Sequence, residues 1–172
     1  MTELLNGFIK IPFWSKFADL HGMISMLSLV LLGAALVLYF LSEKTKEAIG
    51  WLKTVLLLLF LDIAFLDLFG LIVYIPYRAV GGAKFELIRS ETTAWLHEIV
   101  FEHKEFLAFA PLIMTVVALI IVTKLGESFA DKEKYKWLRL AVLVSILFSL
   151  AFVLVIAAEA VWVTKVAPVG GR

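Results

Sequence analysis

The sequence predicts an all-α fold, an integral-membrane up-down bundle of four helices, and three observations predict it. Of 172 residues, 62% are hydrophobic and only 18% charged, whereas a soluble domain is about 45–50% apolar and roughly 25% charged. Four separate apolar runs are long enough to cross a bilayer core, which takes about 20 residues. All five tryptophans lie near the ends of these runs, at the headgroup level that suits an apolar ring carrying one N–H.

The spans follow in order. Leu20–Leu41 has no Asp, Glu, Lys or Arg in 22 residues. Residues 54–75 hold only Asp62 and Asp67 among charged types. The third span covers 106–123, and its helix traces back to about Glu91. The fourth covers 140–164 and is uncharged as far as Glu159. Lipid-exposed backbone must satisfy its hydrogen bonds internally, so each run is a helix. Leu4–Phe17, with Trp14 and two lysines, reads as interfacial. There is no basic n-region before the long first run, so this span is expected to be retained.

No repeat or linker divides the chain, which reads as one membrane domain over 1–172. Pro76 is expected to end the second span, Gly81–Gly82 to break the long second connection, and Pro111 to bend the third span. Four spans put both termini on one side, marked by Trp14, Trp95 and Trp162. Trp51 and Trp137 mark the other. Basic residues are dense in the connections Ser42–Lys53 and Lys124–Arg139. The positive-inside rule then makes these cytoplasmic and the termini outer, in a plasma membrane.

Composition also excludes chemistry. Without cysteine there are no disulfides, iron–sulfur clusters, thiolate metal sites or Cys-linked haem. A net charge of +1 offers no field for nucleic acid. Phosphate-binding loops, dinucleotide turns and serine-nucleophile elbows are missing from the sequence. No independent catalytic site stands out, so a role within a larger complex is expected.

The chain's three histidines, His21, His97 and His103, fall on the terminal side of spans one and three. His21, Ser25, Ser28, Leu32, Ala35 and Tyr39 align within about 40° on a helix. Gly22 and the small hydroxyl residues leave room for a flat ligand beside His21, or for close helix packing. On a regular helix from Glu91, His103 joins an apolar face with Leu96, Ile99, Val100, Leu107 and Ala110. Glu91, Trp95, Glu98, Glu102 and Glu105 form the opposite stripe, and His97 lies on the flank. Two imidazoles at one depth suit the axial ligation of a non-covalent haem b. They equally suit helix-to-helix hydrogen bonds. His103, Glu102, Glu159 and Asp67 also form an oxygen–nitrogen set suited to non-haem iron, copper or manganese. The Glu-x-x-His pairs of a di-iron site are missing.

Intramembrane carboxylates are costly and mark functional candidates. Asp62, near mid-span, and Asp67 and Glu159, nearer the histidines, are candidates for proton or quinone chemistry or for orienting a ligand histidine.

Three stretches carry a family resemblance: ADLHGMISMLSLVLLG in span one, FLDLFGLIVYIPYR ending span two and WLHEIVFEHKEFLAFAPL opening span three. Over Ala18–Leu119 the chain resembles small four-helix haem-b cytochrome subunits. That resemblance implies one haem b between spans one and three. It implies His21 and His103 as axial ligands, with His97 as a substitute or propionate partner. It further implies electron transfer between the quinone pool and a partner redox protein in a larger complex. Two other readings stay open: a cofactor-free anchor or scaffold, and a small transporter with Asp62 and Asp67 lining its path.

Overall fold

A computed structural model describes residues 13–167. The proposed interfacial stretch Leu4–Phe17 lies mostly outside these residues, apart from its last turn. The described helices are α1 (Phe13–Leu41), α2 (Glu47–Arg78), α3 (Ala83–Ile88), α4 (Glu91–Trp95), α5 (Glu102–Leu125) and α6 (Lys136–Val166). A π-helical turn, Leu96–Phe101, joins α4 to α5, and a 3-10 turn, Gly126–Ala130, follows α5. The chain is thus an all-α bundle with four helices long and apolar enough to cross a membrane.

These helices outrun the expected spans. α2 has 32 residues, about 48 Å at 1.5 Å per residue, against a hydrocarbon core of about 30 Å. The surplus turns carry the charged residues into the headgroup zone. Pro76 does not end α2, which continues to Arg78. Proline forfeits one backbone bond, and Tyr77, 1% exposed, anchors the final turn in a packed cluster.

Each long helix packs most extensively on its sequence neighbours, and α6 closes the ring onto α1. α1 and α5 therefore run parallel across a diagonal. Most of each span's apolar surface is left uncovered by the bundle, as an integral membrane protein in contact with lipid requires. Outward residues such as Met23, Val30, Leu71, Phe106 and Ile113 are all well exposed. Trp51, Trp95, Trp137 and Trp162 are exposed near the helix ends.

The apolar core is in two pieces. One, toward the short connections, contains Leu32, Leu56, Leu59, Ala118, Val122 and Ile146. The other, at the end where α1 begins and α6 finishes, contains Tyr77, Leu87, Leu96, Val100, Phe101 and Val163. α3 belongs to this second piece, and its register is set by the break at Gly81, where φ is +76°. A residue with a side chain is strained there.

Charge closes the short-connection end. Arg139, 3% exposed, donates to the Phe129 carbonyl and to Glu43 Oε1, the latter at 3.0 Å. Its guanidinium lies 4.6 Å from the Phe129 ring centre and 5.1 Å from that of Tyr39. Lys132 reaches Glu43 Oε2 at 2.5 Å. These two cations hold the Glu43 carboxyl below its ordinary value of 4.5, with the Lys132 hydrogen bond as the largest cause.

A depressed carboxyl pKa contributes stability above the unfolded value, and that contribution is lost as pH falls through the folded value. Thermal unfolding in detergent is expected to shift downward as pH drops below 4.5, with a shallower fall in Glu43→Gln. At neutral pH, Glu43→Ala is expected to cost about 1–3 kcal/mol, because it strips a buried guanidinium of its carboxylate.

Candidate functional site

Between the two apolar clusters the interior is polar. On α1, the predicted stripe is the buried one: Ser28, Leu32, Ala35 and Tyr39 are its buried residues. His21 continues this stripe upward. Its ring lies in a notch made by Gly70 of α2, where an added Cβ would meet His21 Cε1 at 3.3 Å. The Leu66 backbone carbonyl, also on α2, is a hydrogen-bond acceptor for the imidazole. His21 Nδ1 is buried without a hydrogen-bond partner.

Asp67 lies on α2 between Leu66 and Gly70 in sequence, and its Oδ2 is also buried and unpartnered. From α6, Glu159 directs Oε1 to His103 Nδ1 at 2.6 Å, while its Oε2 is buried without a partner. From α5, partly buried Lys104 lies close enough to interact electrostatically with His21 and with Glu159. Its ammonium is also 5.2 Å from the Phe101 ring centre. Each long helix thus brings at least one ionisable group into the terminal half of the interior: His21, Asp67, Lys104 and Glu159. A buried polar atom without a partner costs about 1–3 kcal/mol, so three in one region mark a place built for something other than packing.

Asp62 lies deeper, 8% exposed, and its Oδ2 accepts a hydrogen bond of 2.5 Å from Ser28. Of the other predicted residues, Ser25 donates to the Gly22 carbonyl at 2.7 Å within its own helix. Gly22 itself is exposed, and no side chain approaches the position a Cβ would take there.

The histidines depart from the expected arrangement. His97, expected on the flank, is 4% exposed and shares a 2.9 Å hydrogen bond with Tyr77. His103, expected inward, has a side chain 52% exposed, and Ile99, expected beside it, is 64% exposed. The π turn is the reason. A wider turn takes up one extra residue, which rotates the preceding face by about 100° relative to a regular helix. Leu96, His97, Val100 and Phe101 then share the buried side. Glu105 also leaves the expected solvent stripe, since it meets Tyr74 at 3.4 Å and Arg78 at 3.9 Å.

The three imidazoles consequently occupy three different seams: His21 against α2, His97 against Tyr77 of α2 from the π turn, and His103 against α6. Among the described residues no group of three or more His, Cys, Asp or Glu is placed to hold a metal ion. Lys104 is the site residue that sequence reasoning missed. Inside the run Glu102-His103-Lys104-Glu105 it reads as part of a solvated charged face.

No known protein family, curated protein or solved structure matches this chain.

The Tyr77–His97 pair is expected to be structural. Tyr77→Phe keeps the ring stack, in which Tyr77 and Phe101 centres are 3.9 Å apart, but leaves His97 Nδ1 buried without its partner. The expected loss is about 1–3 kcal/mol, read by denaturant unfolding in detergent, with His97→Phe in the Tyr77→Phe background recovering part of it.

Proposed function

We propose that this chain is a membrane subunit of a quinone-linked redox complex, and that its own contribution is to carry protons between the terminal end and Asp62 at mid-bundle. The observation that carries this reading is the set of buried, unpartnered atoms His21 Nδ1, Asp67 Oδ2 and Glu159 Oε2, on three helices in one half of the bundle. Imidazoles and carboxylates are the side chains that pass protons through membrane interiors.

The chemistry follows from the order of groups. Glu159 and half-exposed His103 form the mouth, where Glu159 Oε1 accepts from or releases to the imidazole. Lys104 lies close enough to both Glu159 and His21 to interact with each electrostatically. Asp67 is five residues from Asp62, about 7–8 Å along the axis and about 140° round the helix, a separation for a chain of waters rather than direct transfer. Below Asp62 the interior is sealed by Leu32, Leu59 and Val142, each no more than 1% exposed. The path is therefore one-ended. It suits proton delivery to, or collection from, a reaction in the membrane, such as the proton-coupled reduction of a quinone, rather than a through-channel. The basic connections favour the terminal end as the outer face of a plasma membrane.

A second reading has one observation in its favour. Metal-binding histidines commonly donate their other ring nitrogen to a carboxylate, and His103 Nδ1 is paired with Glu159. His103 would then be the residue of this chain that holds a haem b, which would supply one-electron chemistry.

The test is isotope exchange followed by infrared spectroscopy. At a pH low enough to protonate Asp62, its carboxyl stretch is assigned by its loss in Asp62→Asn. In D2O the band is expected to shift readily in the native chain and at least roughly tenfold more slowly in Asp67→Asn or Glu159→Gln. Exchange at one rate in all three would remove the proton path. A reduced-minus-oxidised spectrum of the native complex decides the second reading: a haem band abolished by His103→Ala sustains it, and an unchanged or missing band removes it.

A further inference from the structure

The mid-bundle level around Asp62 has a composition that the proton path does not need. Ser28, Thr115, Ser145 and Ser149 are all buried, at 0%, 2%, 8% and 1% exposure. Helix register puts them near one depth. Ser28 bonds Asp62 directly. The Tyr74–Glu105 contact aligns α2 with α5; twelve residues down from these partners lie Asp62 and Val117, within one turn of Thr115. The His103–Glu159 bond aligns α5 with α6, and an equal descent brings Thr115 between Ser149 and Ser145. Every long helix therefore supplies an oxygen-bearing side chain to this layer.

Three features show that the layer is not satisfied by the protein itself. Thr115 Oγ1 is buried with no hydrogen-bond partner. Asp62 has Ser28 as its hydrogen-bond partner, and the ion pairs among the described residues lie elsewhere. Ser149 Oγ has only the Pro111 carbonyl as a partner, at 3.5 Å, the outer limit of a hydrogen bond. A deeply buried carboxylate needs a compensating positive charge.

We infer that Asp62, Ser28, Thr115 and Ser149 form a binding site for a small monovalent cation of the sodium class. Hard cations take oxygen ligands from carboxylate, hydroxyl and carbonyl groups. One carboxylate among neutral hydroxyls balances a single positive charge. Divalent ions bound to protein draw on more carboxylates or keep their own water. Close packing around Ile63 and Ala118, at 1% and 0% exposure, favours the smaller alkali ions. The site uses the carboxylate at the end of the proton path, so cation and proton compete for it, but occupancy does not depend on that path conducting.

The experiment is thermal unfolding of the purified chain in detergent, titrated with sodium chloride against choline chloride at constant ionic strength. Sodium and lithium are expected to raise the transition temperature saturably, potassium less, and choline not at all. Asp62→Asn is expected to abolish the sodium-specific rise. Thr115→Val, which keeps the volume and the carboxylate, is expected to move the midpoint to roughly tenfold higher sodium, and it carries the test if Asp62→Asn does not fold. Equal responses to sodium and choline, or a sodium response unchanged in Thr115→Val, would overturn the site. A sodium response with uniform isotope exchange would remove the proton path alone; the reverse pattern would remove this site alone.

Discussion

A carboxyl group halfway across a hydrocarbon slab is the constraint around which this bundle is organised. Placing Asp at the centre of a membrane helix costs about 2.5–3.5 kcal/mol on insertion scales. Asp62 meets that cost by facing inward and accepting a hydrogen bond from Ser28 of the neighbouring helix. That bond fixes the register of α1 against α2. The same register carries His21 to Gly70 and Phe17 to Phe69, whose rings are 5.8 Å apart. The stripe of small residues on α1 makes the approach possible, since a bulky side chain at Ser28 would hold the helices apart.

The rest of the interior is graded along the axis. Toward the short connections the packing is apolar and ends in a charged lock, with Arg139 held between Glu43 and the rings of Tyr39 and Phe129. Toward the terminal end it is polar and then capped by the aromatic cluster of Tyr77, Phe101 and Tyr74. A bundle designed only to pack would fill the gap between its two apolar pieces. This one places ionisable groups from all four long helices there and leaves three of their atoms without partners.

Much of this was legible in the sequence, for identifiable reasons. Four long apolar runs require helices, and the even number with short first and third connections requires alternating directions. The inward stripe of α1 follows from simple 100° periodicity, because no proline or irregular turn disturbs it. The carboxylates at Asp62, Asp67 and Glu159 stand out because charge is rare in such runs. What the sequence concealed arises where periodicity fails. The π turn at Leu96–Phe101 changes the phase of the third span, exchanging the expected environments of His97 and His103. Nothing in Leu-His-Glu-Ile-Val-Phe announces it. The role of Lys104 depends on that changed phase, and the buried oxygens of Thr115 and Ser149 depend on inter-helix register, which one chain's spacing cannot supply.

The central claim is that the interior is reachable by water from the terminal end down to the level of Asp62 and dry beneath it. The chain contains no cysteine, so single cysteines can be introduced without background. The direct measurement is the rate at which a membrane-impermeant, positively charged thiol reagent labels Ser25→Cys, Ser28→Cys and Ala35→Cys in sealed vesicles of known orientation. The account predicts labelling at positions 25 and 28 from the terminal side only, and none at position 35 from either side. Labelling of all three alike, or of position 28 from the short-connection side, would contradict it.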